Sequence, residues 1–103
     1  MEKKSDYTFI VSPSAEENID KIIRYISIDL ENRKAASALI ESFYKKIHDI
    51  IAFPYSYPIF NNEYLIQKGI RKAKIKNFNI FYVINEEEKE IIIMEIMHNK
   101  EIK

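Results

Sequence analysis

Residues 70–97, IRKAKIKNFNIFYVINEEEKEIIIMEIM, decide the fold of this chain of 103 residues. The stretch is rich in β-branched and aromatic residues, and polar turn signals divide it at Asn77 and between Asn85 and Lys89. Such segments predict strands, and connections this short predict antiparallel pairing of consecutive strands. The predicted strands are residues 70–76, 78–84 and 90–97. Residues 91–94 are apolar on both faces, so the last strand should be central, between the middle strand and an earlier one.

One further strand and two amphipathic helices precede this sheet segment. Residues 7–12 predict the strand. Apolar residues spaced three and four apart predict helices over residues 14–31 and about 33–52. The apolar stripes are Ala15, Ile19, Ile22, Ile23, Ile26 and Leu30 in the first helix, and Ala36, Leu39, Ile40, Phe43, Ile47, Ile50 and Ile51 in the second. The connection between the two predicted helices is short, which predicts an antiparallel helical hairpin. The apolar side of such a hairpin needs one apolar face of the sheet to cover it.

The residues at the helix ends predict how the helices are capped. Ser12, followed by Pro13, and Ser14, followed by Glu17 three positions later, can each cap the first helix. Asn32 predicts the break between the helices, because asparagine tolerates the left-handed conformation that ends a helix.

The whole pattern predicts one α+β domain over residues 1–103, in the order β-α-α-β-β-β, with the helical hairpin packed on one face of a mainly antiparallel four-stranded sheet. Hydrophobic residues make up 47% of the chain and charged residues 31%, which favours a packed, soluble domain. Charges interrupt every window long enough to span a membrane. No cysteine is available for a disulfide, a zinc thiolate or a nucleophile, which suits a reducing cytoplasm.

The charges are balanced in number but not in position. The chain has 16 basic and 16 acidic residues, and a neutral total argues against a nucleic-acid binder. Five cations nevertheless fall within nine residues, at Lys68, Arg71, Lys72, Lys74 and Lys76. Residues 86–88 and Glu90 then concentrate negative charge. We therefore expect a strongly polarised molecule with a basic target-binding surface.

Several short motifs, in order and spacing, resemble the RelE/ParE toxins of bacterial type II toxin-antitoxin systems. They are Ser12-Pro13-Ser14-Ala15, residues 32–36, Phe53-Pro54, residues 69–72, residues 77–84 and residues 91–98. The resemblance implies the fold predicted above, with a curved, basic face opposite the helices. It also implies a cytoplasmic toxin that inhibits growth in a plasmid stabilisation module, and a cognate antitoxin encoded by an adjacent gene, with no cofactor.

The family implies two different targets. Ribonuclease members cut messenger RNA on the ribosome, and relatives with a longer helical hairpin poison DNA gyrase. A metal-independent ribonuclease needs a general base, a general acid and cations for the phosphate. By resemblance these roles fall on His98, Lys72, Lys74 and Lys100. Solvated surface lysines, and a histidine that merely closes the last strand, are the plainer interpretations of the same residues.

Two departures from the ribonuclease pattern favour gyrase as the target. The family's arginine falls on Asn79, which cannot offer a cationic fork to a phosphate. The family's C-terminal tyrosine is absent from residues 101–103. Inhibition of gyrase is therefore the leading hypothesis, messenger RNA cleavage the alternative, and an inactivated toxin that only binds its antitoxin a third.

Some charged and aromatic residues allow two interpretations. Arg71 can pair with Glu95, whose charge interrupts an apolar strand, or it can contact a phosphate. The aromatic residues within 54–68 can stack nucleobases or plug the corner between helix and sheet. Residues 86–88 predict a solvated hairpin tip. We expect His48 to lie at the surface. Two histidines without nearby carboxylates do not favour a metal site.

Overall fold

The computed structural model describes residues 6–60 and 69–99. In chain order its elements are strand β1 (Thr8–Val11), helix α1 (Pro13–Arg24), one π-helical turn (Tyr25–Asp29), helix α2 (Arg33–Ala52), a short 3-10 turn (Pro54–Ser56) and strands β2 (Arg71–Ile75), β3 (Phe78–Asn85) and β4 (Glu90–His98). The predicted order and α+β class are confirmed. Lys68 and Lys100, with much of the predicted loop, lie outside the described residues. Neither described range contains a helix long and apolar enough to cross a membrane.

The sheet has four strands in the order β1-β4-β3-β2. Strands β2, β3 and β4 pair antiparallel, and β1 pairs parallel with β4. The last strand is therefore central, as its two apolar faces predicted. The sheet is mixed because β4, which follows the two helices and strands β2 and β3 in the chain, runs in the same direction as β1.

A β-bulge shifts the register between β3 and β4. Phe81 lies opposite Glu95, while Tyr82 lies opposite Ile93, so Met94 is the extra residue on β4. Side chains alternate strictly along an uninterrupted strand, so residues three apart face opposite sides. The extra residue allows both Ile93 and Ile96 to lie in the core beneath the helices.

Beyond the point where β1 ends, side chains at the start of α1 hydrogen-bond to the backbone of β4. The Ser12 hydroxyl accepts from the Ala15 amide at 3.0 Å and donates to the Met94 carbonyl at 2.8 Å. The Asn18 side chain accepts from the Ile96 amide at 3.0 Å. Ser12 is therefore the N-cap. The alternative cap at Ser14 is wrong, because its hydroxyl donates to the Glu95 carboxylate at 2.8 Å.

The break between the helices differs from the prediction by one residue. Glu31, not Asn32, adopts the left-handed conformation, with φ of 49°. Asn32 is the N-cap of α2, and its side chain accepts from the Ala35 amide at 3.0 Å. An asparagine side chain stabilises a helix start better than glutamate can, so the left-handed residue falls one position earlier.

The main core lies between the helical hairpin and the sheet. Its largest fully buried members are Phe43, Ile47, Ile50, Ile80, Tyr82, Ile91, Ile93 and Ile96. Phe43 of α2 meets Phe78 of β3 edge to face, with ring centroids 5.7 Å apart. The buried Tyr82 hydroxyl donates to the Pro54 carbonyl at 2.6 Å, which leaves no unpaired polar atom at that point.

Candidate functional site

The lysines of β2 lie on the sheet face opposite the helices. Ala73 and Ile75 belong to the core beneath the helices, so the alternating residues Lys72 and Lys74 point the other way, as predicted. Lys74 is exposed, whereas Lys72 is partly buried, with its ammonium 5.3 Å from the centroid of the Phe60 ring. Lys76 lies in the β2–β3 turn with φ of 52° and is exposed.

The face that carries these lysines is not uniformly basic. It has a second apolar cluster in which Ile70, Phe81 and Val83 are buried. Phe60, Ile92, Met94 and Met97 pack partly buried against it. Within the described residues, Lys72 and Lys74 of this face lie along the edge strand β2 beside the apolar cluster, and a basic face of wider extent stays a prediction.

Arg71 is held by the corner that follows α2. Its guanidinium donates to the Tyr57 carbonyl at 2.5 Å and lies 5.1 Å from the centroid of the Tyr55 ring. The predicted pair with Glu95 is wrong, because the Glu95 carboxylate on β4 accepts from Ser14. In the sheet, β4 is separated from β2, which carries Arg71, by β3. Arg71 thus ties the corner to β2.

Asn79 is a buried polar residue, only 4% exposed. It lies opposite Lys74 on one side and Met97 on the other. Its side-chain amide donates to the Asn99 side chain, and the Asn99 amide donates to the Asn77 carbonyl at 2.8 Å. The position at which ribonuclease relatives are expected to carry arginine therefore holds a neutral clasp between the end of β4 and the start of β3.

His98 lies on the other side of the sheet from the lysines. It pairs with Phe78 across β3 and β4, and the two rings meet edge to face with centroids 5.2 Å apart. Phe78 packs against Phe43 of α2, so this is the face covered by helices. The structure thus brings Lys72 and Lys74 together but separates them from His98 by the sheet.

Sequence reasoning missed a polar cluster around Glu86. Both the Tyr7 and Tyr55 hydroxyls donate to one Glu86 carboxylate oxygen at 2.6 Å, and the Lys89 ammonium donates to the other oxygen. The prediction of a solvated hairpin tip is confirmed, because residues 86–88 are exposed in the β3–β4 turn, but it did not include these contacts of Glu86. Tyr7 and Tyr55 are 79 and 31 residues from Glu86, so no local pattern signals the contact.

These hydrogen bonds shift the acidity of the groups in the cluster. Donation by Lys89, then by Tyr55 and Tyr7, lowers the pKa of Glu86 to about 2. The same carboxylate raises the pKa of Tyr55 to about 12, because the hydrogen bond favours the protonated phenol. The cluster is thus most stable with Glu86 ionised and Tyr55 neutral, and it joins β1, the corner after α2 and the β3–β4 turn.

Glu86 should make stability depend on pH in acid. Its pKa is about 2 in the folded chain and 4.5 ordinarily, so the unfolded state binds the proton first. The stabilisation is present above pH 4.5 and should be lost as pH falls towards 2. We expect Glu86→Gln to reduce the loss of melting temperature over this range. The exposed neighbour variant Glu87→Gln is the control, and identical acid profiles for the two variants would contradict the assignment.

The histidines and carboxylates do not form a metal site in the described parts of the chain, where no group of three or more such side chains converges. His48 is exposed on α2, and its ring centroid lies 6.4 Å from that of Phe9. The prediction of a surface position is confirmed.

A helical hairpin over one face of a four-stranded mixed sheet, together with a match to a family model, identifies the chain as a small toxin of the RelE/ParE class. Residues 9–103 match the family described as ParE toxin of type II toxin-antitoxin system, parDE, and the chain belongs to this family. Comparison with curated protein sequences gave no match.

Two solved toxin-antitoxin structures share the fold. The first is the RelBE2 complex from Mycobacterium tuberculosis, with a TM-score of 0.62 and 17% identity, covering 89% of this chain and 96% of that chain. The second is the chromosomal ParDE system from P. aeruginosa, with a TM-score of 0.70 and 13% identity, covering 92% of this chain and 98% of that chain. At these identities the likeness establishes the fold alone.

Proposed function

We propose that this toxin arrests growth in the cytoplasm by inhibiting DNA gyrase, without itself being an enzyme, and that an antitoxin encoded by an adjacent gene neutralises it. The antitoxin partner is supported by the family and by the two similar structures, both of which are toxin-antitoxin systems. Inhibition of gyrase is the finer statement, and it rests on how the predicted catalytic residues are arranged.

The separation of His98 from the β2 lysines carries the proposal. General acid-base catalysis requires the proton-transferring group within hydrogen-bonding distance of the reacting atoms, which the phosphate-binding cations must also reach. Here the imidazole lies against Phe78 on the helix-covered face, while Lys72 and Lys74 lie on the opposite face. A substrate phosphate held by the lysines would therefore lie across the sheet from the imidazole.

The neutral clasp at Asn79 supports the same conclusion. A phosphoryl transition state gains charge, and enzymes stabilise it with preorganised cations or donors. The Asn79 amide is buried and already donates to Asn99, so it is not directed at an incoming phosphate. The long hairpin, with 20 residues in α2, agrees with the gyrase-poisoning branch that the sequence favoured.

Ribosome-dependent cleavage of messenger RNA is the second candidate, and Lys72 and Lys74 favour it. Two ammonium groups on one strand face can contact a phosphate backbone. An inactivated toxin that retains only antitoxin binding is the third candidate, and the same neutral clasp at Asn79 is what favours it.

Two assays with purified protein separate the candidates. We expect the chain to inhibit supercoiling and to accumulate cleaved gyrase-DNA complexes, with no cleavage of translated messenger RNA. Because His98 has no catalytic role in this proposal, His98→Ala should inhibit gyrase as the wild type does, and His48→Ala is the matched control. A ribonuclease would lose ~100-fold or more in rate with His98→Ala or Lys74→Ala. Such His98-dependent cleavage, without any effect on supercoiling, would overturn the proposal.

A further inference from the structure

Sulfur occurs in this chain only in methionine. The sequence has no cysteine and three methionines, which are Met1, Met94 and Met97. It also has no tryptophan. Thioethers are therefore the side chains of this protein that a mild oxidant such as a peroxide attacks most readily. Two of the three lie on the central strand β4, three residues apart.

Both methionines of β4 lie on the sheet face opposite the helices. They pack against the second apolar cluster, in which Ile70, Phe81 and Val83 are buried. The helical hairpin packs on the other face, and Met94 and Met97 are each partly exposed. We therefore expect a peroxide molecule, which is little larger than water, to reach both thioethers in the folded chain.

The β-bulge brings the two thioethers to one face. Residues three apart on an uninterrupted strand face opposite sides of the sheet. Met94 is the extra residue of the bulge, so Met94 and Met97 both belong to the second apolar cluster. The Ser12 hydroxyl donates to the Met94 carbonyl at 2.8 Å and holds the backbone at this point. Oxidation of either sulfur atom would therefore change the same packed surface.

A sulfoxide would disrupt this surface, because it replaces an apolar thioether with a polar group that accepts hydrogen bonds. The side chains of the second apolar cluster are all apolar, so none of them offers a donor to the added oxygen. The Lys72 ammonium lies at the margin of the cluster, 5.3 Å from the centroid of the Phe60 ring. The oxygen can gain a donor only by moving out towards water or Lys72. Loss of packing and burial of an unpaired polar group both destabilise the folded state.

Oxidation of Met97 would also affect the neutral clasp at the end of the sheet. Met97 lies opposite Asn79 in the register of β3 and β4. The Asn79 side chain is buried and donates to Asn99. A displaced Met97 side chain would therefore disturb the contact that joins the end of β4 to the start of β3.

We propose that Met94 and Met97 form an oxidation site through which peroxides weaken the folded toxin. In each step the sulfur lone pair attacks one oxygen of hydrogen peroxide, the O–O bond breaks and an S–O bond forms. The hydroxyl proton on the new S–O group passes to the departing hydroxide, which leaves as water. The sulfur atom is oxidised and the peroxide is reduced. Methionine sulfoxide reductases reverse this change, so the site responds to oxidants reversibly. The inference concerns the stability of the toxin and holds whichever target the toxin has.

The first measurement is the rate at which the free toxin, prepared by cell-free synthesis without an antitoxin, reacts with hydrogen peroxide. Peptide mass spectrometry should find one added oxygen on Met94 and one on Met97. The rate should not depend on urea below the unfolding transition, because the folded state itself reacts. A rate that rises steeply with urea, as the unfolded fraction does, would mean that only unfolded chains react and would overturn the proposal.

The second measurement is the stability of the oxidised toxin. We expect its melting temperature to fall by at least about 4 °C. Cleavage by a nonspecific protease should be at least about fivefold faster, since it follows the population of opened chains. Treatment with a methionine sulfoxide reductase should restore both values. An unchanged melting temperature in a chain fully oxidised at both positions would contradict the proposal.

The double variant Met94→Leu with Met97→Leu is the matched control. Leucine keeps an apolar side chain of similar volume without sulfur, so the untreated variant should melt near the wild type and peroxide should leave it unchanged. The variant retains Met1, so any effect of oxidation at that residue appears in the control. The single variants should each show part of the loss, and they serve as the test if the double variant does not fold. An equal loss in the variants and the wild type would place the sensitive group elsewhere in the chain and refute the site.

Discussion

Replacing Phe43 by alanine is expected to lower the free energy of unfolding by about 3–5 kcal/mol. The ring is 1% exposed at the centre of the main core, and its edge-to-face contact with Phe78 joins α2 to β3. A domain of this size has about 5–15 kcal/mol of stability in total, so the loss is a large fraction. Thermal unfolding should show a melting temperature lower by about 12 °C or more.

Phe53→Ala is the matched control for this variant. It removes the same ring from a position that is 71% exposed, so little buried area is lost. We expect a change within about 0.5 kcal/mol, as for most surface substitutions. Equal destabilisation by the two variants would mean that α2 does not pack against the sheet through Phe43.

Expression of the chain by itself is expected to stop cell growth, and co-expression of its antitoxin to restore it. The physical reason for the rescue is that a ligand of the native state covers the toxin and stabilises it by an amount that grows with the logarithm of the ligand concentration relative to the dissociation constant. At 100 times that constant the gain is about 2.7 kcal/mol. Viable counts after induction measure the first effect, and the melting temperature of the purified complex measures the second.

Phe43→Ala provides an internal control for the growth experiment. If arrest depends on the fold, this variant should be less toxic at equal expression, while Phe53→Ala should remain toxic. Normal growth at high levels of folded wild-type protein would contradict the toxin activity and favour the inactivated form. Arrest that persists with a bound antitoxin would contradict neutralisation by that partner.

The fold was largely predictable because its hydrophobic periods are local. The stripes of both helices and the alternation within the strands follow from residues close in sequence. The choice of Ser12 as N-cap was not predictable, since Ser14 has equal local chemistry. Its preference comes from the Met94 carbonyl, which is distant in sequence and accepts from the Ser12 hydroxyl.

The arrangement of the site depended on one residue that the sequence does not mark. Strict alternation from Ile91 and Ile93 would direct His98 to the same face as Lys72 and Lys74. The bulge at Met94 reverses the alternation, so Ile96 and His98 lie on the helix-covered side instead. The bulge leaves one sign in the sequence, which is that the buried residues Ile91, Ile93 and Ile96 are spaced by two and then by three. This spacing cannot be recognised beforehand, because the neighbouring residues are apolar as well.

The Glu86 cluster likewise depends on contacts that the local sequence does not determine. Which acidic residue of 86–88 meets the tyrosines depends on the geometry of the β3–β4 turn, where Lys89 has φ of 52°.

The parallel pairing of β1 with β4 joins residues that are far apart in the sequence. Ser12 and Met94, which hydrogen-bond at the end of that pairing, are 82 residues apart. Contacts between such distant residues must overcome a large loss of chain entropy, so they form late. During synthesis from the N-terminus, α1 and α2 can form as a local hairpin, but β1 has no neighbour in the sheet until β4 has left the ribosome. The four-stranded sheet, and any activity that depends on it, is therefore acquired only after residues 90–98 have been made.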